Sequence, residues 1–273
     1  VIAPGDFAGL VRRALREDAP FGDPFGACFT ATRRGVFVAR AAGVFCGGPV
    51  AAEVFRQVDP SAAASFAAEG TRVRPGETVG EAQGPASALL RAERVALNFL
   101  QRLSGIATLT ARFVEAASPY GARVLDTRKT TPLWRVLEKY AVRVGGGANH
   151  RFSLSDGILV KENGIRAAGG IAEAVAAARR AAPWLGRVEV EVETLDEAAA
   201  AVAAGADALL LDNMSPDEVA EAVRRYKGRV FLEASGGICL ENAAAYARTG
   251  VDALSVGAIT HSAPALDIAF ELA

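Results

Sequence analysis

Histidine is nearly absent from this chain, with only His150 and His261 in 273 residues. That scarcity excludes a metal centre built on several imidazoles. Cysteine is almost as rare: Cys28, Cys46 and Cys239 are an odd number at long spacings, with no C-x-x-C pair. Neither a disulfide framework nor a thiolate metal site is expected from them. No run of about 18 uncharged apolar residues occurs, the minimum for a membrane-spanning helix. The opening VIAPGDFAGLVRRALRED is too charged for a secretory signal, so the expectation is a protein of the reducing cytoplasm without a membrane partner. An excess of charge of either sign is missing too. Thirty basic residues stand against thirty-one acidic ones, for a net charge of −1. No global field would recruit nucleic acid, and any anion binding must come from a local cluster.

What the chain does contain is 51% hydrophobic and 22% charged residues, the balance of a globular protein with a real core. Its length allows one large α/β domain or two smaller ones. The N-terminal third reads as mixed α/β. DFAGLVRRALRED spaces Phe7, Leu10, Val11 and Leu15 for one helix face. GVFVARAAGVFCGG reads as two short strands, and EGTRVRPGETVGEAQGP carries the Gly/Pro punctuation of turns between strands. ASALLRAERVALNFLQRLSGIATLTARFVEAAS is a long helical stretch with an expected break at Ser104-Gly105.

From residue 121 the pattern becomes repetitive. Apolar runs recur at 122–125, 157–160, 187–192, 208–211, 229–234 and 253–256, and alanine-rich helical segments fill 171–182, 195–204, 216–226 and 240–249. Strand and helix in alternation predict βαβ units and a parallel sheet, with enough strands for a full or partial barrel. No G-x-G-x-x-G follows the first strand, which leaves a dinucleotide fold unsupported.

The polar residues gather where these strands end. ARVL runs into Asp126, Arg128 and Lys129, GILV into Lys161, and ALLL into Asp212. In a (β/α) barrel such ends share one mouth and carry the chemistry. Helix capping does not account for Asp212, because Thr194–Glu197 and Ser215–Glu218 both read as capping boxes of their own. Glu189, Glu191 and Glu193 alternate along one strand and share a face. If that face is interior, the carboxylates need cations, for which Lys161, Lys129 and Arg151 are candidates. The late strands run into Ser235-Gly236-Gly237 and Gly257-Ala258, loops whose backbone N–H groups can cradle phosphate. His150 and Arg151 precede the Lys161 strand, so cations from three neighbouring segments would meet at one mouth and call for a polyanionic ligand.

The blocks ERVALNFLQRLSGIAT, DTRKTTP, LEKYAVRVGGGANHR, ILVKEN, VEVEVETL, LLLDN, EASGGI and SVGAITHS resemble, in this order, the quinolinate phosphoribosyltransferase family. The resemblance spans essentially the whole chain. It implies an N-terminal α/β sandwich domain, residues 1–105, and a C-terminal open (β/α) barrel of the type II phosphoribosyltransferase kind, residues 106–273, with the last few residues packing back on the first domain. It implies a homodimer in which Arg94 reaches the partner's site. It also implies the reaction: quinolinate and phosphoribosyl pyrophosphate give nicotinate mononucleotide, pyrophosphate and CO2, with Mg2+.

By motif, Arg94, Arg128, Lys129, His150 and Arg151 would hold quinolinate. Lys161, Glu191 and Asp212 would serve the phosphoribosyl donor, the two carboxylates also its metal, directly or indirectly. Ser235, Gly236, Gly237, Gly257, Ala258 and His261 would take its phosphate, and Lys129, Lys161, Glu191 and Asp212 would be catalytic. The sequence departs from the family at Gly164, where a histidine is usual, and in EDAPFGDPFGACFT, which lacks the usual paired threonines. The alternatives are a phosphoribosyltransferase of the same fold acting on another heteroaromatic acid, as in the molybdate-operon homologue, and a non-catalytic sugar-phosphate binder.

Overall fold

A computed structural model describes residues 2–184 and 186–272. The chain divides into two compact units that interleave along the sequence: Val1–Ala111 with Thr130–Gly146 and Ile259–Ala273, and Arg112–Lys129 with Gly147–Ala258.

The first unit is built on an antiparallel sheet. β1 (Thr32–Ala39) lies between β12 (Ile268–Leu272) and β5 (Thr78–Pro85), and β3 (Ala63–Phe66) closes the other edge; β2 (Gly43–Val44) and β4 (Arg72–Val73) form a separate pair. The second half of β1 alternates between buried and partly exposed positions, the signature of a sheet packed on one face. Phe37 on the buried side meets Phe55 of α2 (Gly48–Val58) edge-on with ring centroids 6.0 Å apart, and Phe270 of β12 at 4.7 Å. α1 (Pro4–Asp18) buries Phe7, Val11 and Leu15 at successive turns, as the helical spacing requires.

α3 (Ala86–Ala117) runs unbroken through Ser104-Gly105, where the sequence led us to expect a break. Ser104 Oγ accepts the Cys46 N–H at 2.9 Å and donates to Cys46 O at 3.0 Å, so its hydroxyl does not compete for the helix backbone. Gly105 is required by closeness, since a Cβ there would lie 2.0 Å from the Pro264 carbonyl oxygen. Both residues that signal a breaker in sequence are packing devices in the fold.

The second unit holds a six-stranded parallel sheet in the order β6 (Arg123–Leu125), β11 (Ala253–Ser255), β10 (Phe231–Ser235), β9 (Ala208–Asp212), β8 (Val188–Val192), β7 (Ile158–Val160). β6 and β7 follow one another in the chain yet sit at opposite edges, which is the arrangement of a (β/α) barrel left open at one seam. α4 (Arg135–Val144) belongs to the first unit, and the connections here are α5 (Glu162–Ala168), α6 (Ile171–Ala181), α7 (Leu195–Ala203), α8 (Pro216–Tyr226) and α9 (Leu240–Arg248). Their sheet-facing positions include Ala174, Ala178, Ala198, Ala201, Ala222, Ala243 and Ala247, all buried, and such small side chains let helices lie close on the sheet.

At the strand starts, Asp207 Oδ2 accepts the N–H of Val188 at 2.7 Å, and Asp252 Oδ2 accepts that of Leu232 at 2.9 Å. Each aspartate is also ion-paired, to Arg179 and Lys227 respectively. These bonds and ion pairs tie this end of the sheet together.

Candidate active site

Because the strands are parallel, their C-terminal ends fall on one side of the sheet and present the residues after each strand together. β6 runs into Asp126, which is fully buried. Its carboxylate accepts the backbone N–H of His150 at 2.9 Å and the Asn149 side-chain amide at 2.5 Å, fixing the segment that carries His150 and Arg151. Thr127 Oγ1 accepts the Lys129 N–H at 3.0 Å, a local turn that takes Arg128 and Lys129 out of the strand direction. Arg151 donates to Gly157 O at 3.0 Å. Burial, and the neighbouring Arg128 guanidinium, push the Arg151 pKa below its ordinary value, as expected where cations are crowded together.

β7 delivers Lys161, ion-paired to Glu191 of β8. β9 ends at Asp212, whose Oδ2 accepts the Asn213 amide at 2.8 Å. Asp212 lies directly beside Ser235 of β10 in the strand register. The turn after Ser235 depends on glycine. Gly236 has φ +86° and Gly237 φ +62°, and a Cβ on Gly236 would sit 2.7 Å from the Asn213 backbone nitrogen.

These ends enclose a cavity of about 220 Å³ lined by Arg128, Lys129, His150, Arg151, Lys161, Glu191, Asp212 and Ser235, together with Thr127, Leu159, Leu210 and Ser255. A floor of cations with carboxylates on the adjoining strands suits a ligand that is strongly anionic at one end and develops positive charge at another.

The chain matches the model of the quinolinate phosphoribosyl transferase N-terminal domain over residues 27–104 and that of the C-terminal domain over residues 106–271. It belongs to the quinolinate phosphoribosyltransferase family. Among its relatives in that family, the human carboxylating nicotinate-nucleotide pyrophosphorylase is 42% identical over 279 residues, covering 100% of this chain and 93% of the human one. The Mycobacterium leprae enzyme of the same name is 43% identical over 276 residues, covering 96% and 95%. The solved nicotinate-nucleotide pyrophosphorylase from Francisella tularensis superposes with a TM-score of 0.96 at 40% identity, covering 100% of this chain and 98% of that one.

Against the residues expected of a quinolinate phosphoribosyltransferase, one cavity brings together Arg128, Lys129, His150, Arg151, Lys161, Glu191, Asp212 and Ser235. Gly236 and Gly237 form the turn after Ser235, and Gly257 and Ala258 follow β11. Arg94 and His261 are exposed residues of the other compact unit. Glu189 finds a partner that was not among its candidates: His150 Nε2 lies 2.9 Å from Glu189 Oε2. Glu233 was missed altogether. It stands two residues before Ser235, on the same face of β10, with 1% of its surface exposed. A glutamate inside an otherwise apolar strand was the available signal.

Proposed function

We propose that this chain transfers a phosphoribosyl group from phosphoribosyl pyrophosphate to quinolinate, with loss of CO2, to give nicotinate mononucleotide for NAD synthesis. The observation that carries the reading is the pairing, in one cavity, of Arg128, Lys129, Arg151 and Lys161 with the carboxylates Glu191 and Asp212. A ligand with two carboxylates matches the first group; a reacting ribose matches the second.

In this reading Arg128, Lys129 and Arg151 hold quinolinate beside His150 in the cavity wall, with Arg94 of the partner subunit completing the set in a homodimer. The ring nitrogen forms a bond to ribose C1 as the bond from C1 to pyrophosphate breaks. Positive charge that builds on the sugar is stabilised by Glu191 and Asp212. The bond from ring C2 to its carboxylate then breaks, CO2 departs, and the electron pair left on C2 takes a proton from solvent. Lys129 and its neighbours orient the departing carboxylate and the ring, so they act through positioning. Lys161, held by Glu191, faces the donor, and the backbone of Ser235–Gly237 and Gly257–Ala258 receives its phosphate.

Glu191 and Asp212 also fit Mg2+, which takes oxygen ligands and is commonly held by one or two carboxylates together with substrate phosphates. When bound there it would neutralise charge on the leaving pyrophosphate. A reducing cytoplasm is the proposed setting.

Incubation with quinolinate, phosphoribosyl pyrophosphate and Mg2+ tests the proposal. Nicotinate mononucleotide is the expected product, with quinolinate strongly preferred over nicotinate. Product from nicotinate but not from quinolinate would refute the dicarboxylate assignment.

A further inference from the structure

Behind His150 lies a carboxyl group that the reaction as proposed does not use. Glu233 is buried in β10, and its Oε1 has no hydrogen-bond partner. Around it stand Asp126 from the end of β6, Glu189 from β8, Ser255 from β11, and His150, whose Nε2 is 3.7 Å from Glu233 Oε1. A third buried anion next to Glu189 and Asp126 would carry a large electrostatic cost.

We infer that Glu233 holds a proton in the working enzyme and is a positioning residue: as a neutral acid it backs the His150–Glu189 pair and keeps the imidazole neutral, with its proton on Nε2. The ring's own bonds support this. His150 Nδ1 accepts the Arg151 backbone N–H at 2.7 Å, so its lone pair is taken. The proton of the neutral ring is therefore on Nε2, where it donates to Glu189 at 2.9 Å. Burial, and next the Glu189 charge, push the Glu233 carboxyl up to about 8.

His150, Glu189 and Glu233 also place one ligand atom each within 4.8 Å of the others, a spacing a divalent cation could use. The tautomer argues against it, because a protonated Nε2 has no lone pair to give a metal.

The inference rests on quinolinate as substrate for its kinetic consequence. Ionised Glu233 would repel Glu189 and set a second carboxylate charge 3.7 Å from His150 Nε2, disturbing the His150–Glu189 pair. The segment that carries Arg151 would shift, and the dicarboxylate would be held less well. Quinolinate KM should therefore rise as pH increases through about 8, while kcat changes less.

Glu233→Gln keeps the neutral hydrogen-bonding shape; Glu233→Ala removes it. The Gln variant should keep quinolinate KM within about threefold of the unsubstituted enzyme at neutral pH and lose the alkaline rise, while the Ala variant loses roughly tenfold or more throughout. A Gln variant as impaired as the Ala variant, or one that keeps the alkaline rise, overturns the inference. So does a stoichiometric divalent metal in the purified protein that Glu233→Gln releases. Infrared absorption gives a reading independent of turnover: the protein at neutral pH should show a buried protonated-carboxyl band that disappears in Glu233→Gln. If the band is missing the inference fails, even if quinolinate is turned over. If the band is present and quinolinate is not turned over, only the substrate reading fails.

Discussion

Lys129 owes its direction to the residue two before it, since its backbone N–H is held by the Thr127 hydroxyl. Its side chain lines the cavity beside Arg128 and Arg151. Lys129→Ala removes a positioned charge without opening a core cavity. Quinolinate turnover should fall by about a hundredfold or more while the thermal midpoint moves only a few degrees; turnover close to normal in a folded variant contradicts the role. Gly236 is constrained by backbone rather than charge. Gly236→Ala adds a Cβ 2.7 Å from the Asn213 nitrogen at φ +86°, a strain of about 1–3 kcal/mol. The expected result is a raised KM for phosphoribosyl pyrophosphate with a smaller change for quinolinate; equal effects on both would contradict the assignment of this turn to phosphate.

At this scale the charged ends of strands were legible, because a charge after an apolar run has few structural uses. Glu233 was not, because a strand interior hides which face points inward. The partner of Glu189 could not be read either. His150 reaches it through a loop anchored by Asp126, and no local pattern encodes that closure.

Among the elements, the barrel's strands are pinned at their starts by Asp207 and Asp252. Burial alone would raise the Asp207 carboxyl, but its bonds to Arg179 and the Val188 N–H prevail and hold it below the usual carboxylate range. A lowered carboxylate stabilises the fold above its unfolded pKa, and that contribution disappears as pH falls through the folded value. Asp207→Asn should therefore cost about 1–3 kcal/mol at neutral pH, with the difference from the unsubstituted protein shrinking in the acid range. Denaturant titrations at both pH values check this; a difference independent of pH contradicts it.

The repeat of strands and alanine-rich helices was readable because periodicity survives burial on both sides. Caps were readable where they are local. Ser215 and Glu218 form the full reciprocal box, whereas Glu197 turns its carboxylate to the Glu193 N–H and leaves Thr194 with half of one. The continuity of α3 was not readable, since Ser104 and Gly105 are explained only by Cys46 and Pro264, distant in sequence.

For the whole molecule, a net charge of −1 conceals four cations gathered in one cavity, Arg128, Lys129, Arg151 and Lys161, which is why bulk composition said nothing of the substrate. The division into units is also non-local. Segments 130–146 and 259–273 group with the N-terminal residues, and a single cut at 105/106, where the two family matches meet, falls inside α3. Among the described residues no helix is long and apolar enough to cross a membrane. The family and the barrel were legible from ordered motifs, and the resemblance implied that the last few residues pack back on the first domain; the grouping of 130–146 with it was not legible, because sequence order does not report which segments pack together.

In the proposed reaction the cations of one strand-end cavity hold a dicarboxylate whose 2-carboxylate is lost as the phosphoribosyl group is transferred. Quinolinate labelled with carbon-14 in that carboxylate reports this loss. Labelled CO2 should appear in step with pyrophosphate, one for one, and label should be absent from the nucleotide. Pyrophosphate released without labelled CO2, or a nucleotide that keeps the label, would contradict the account.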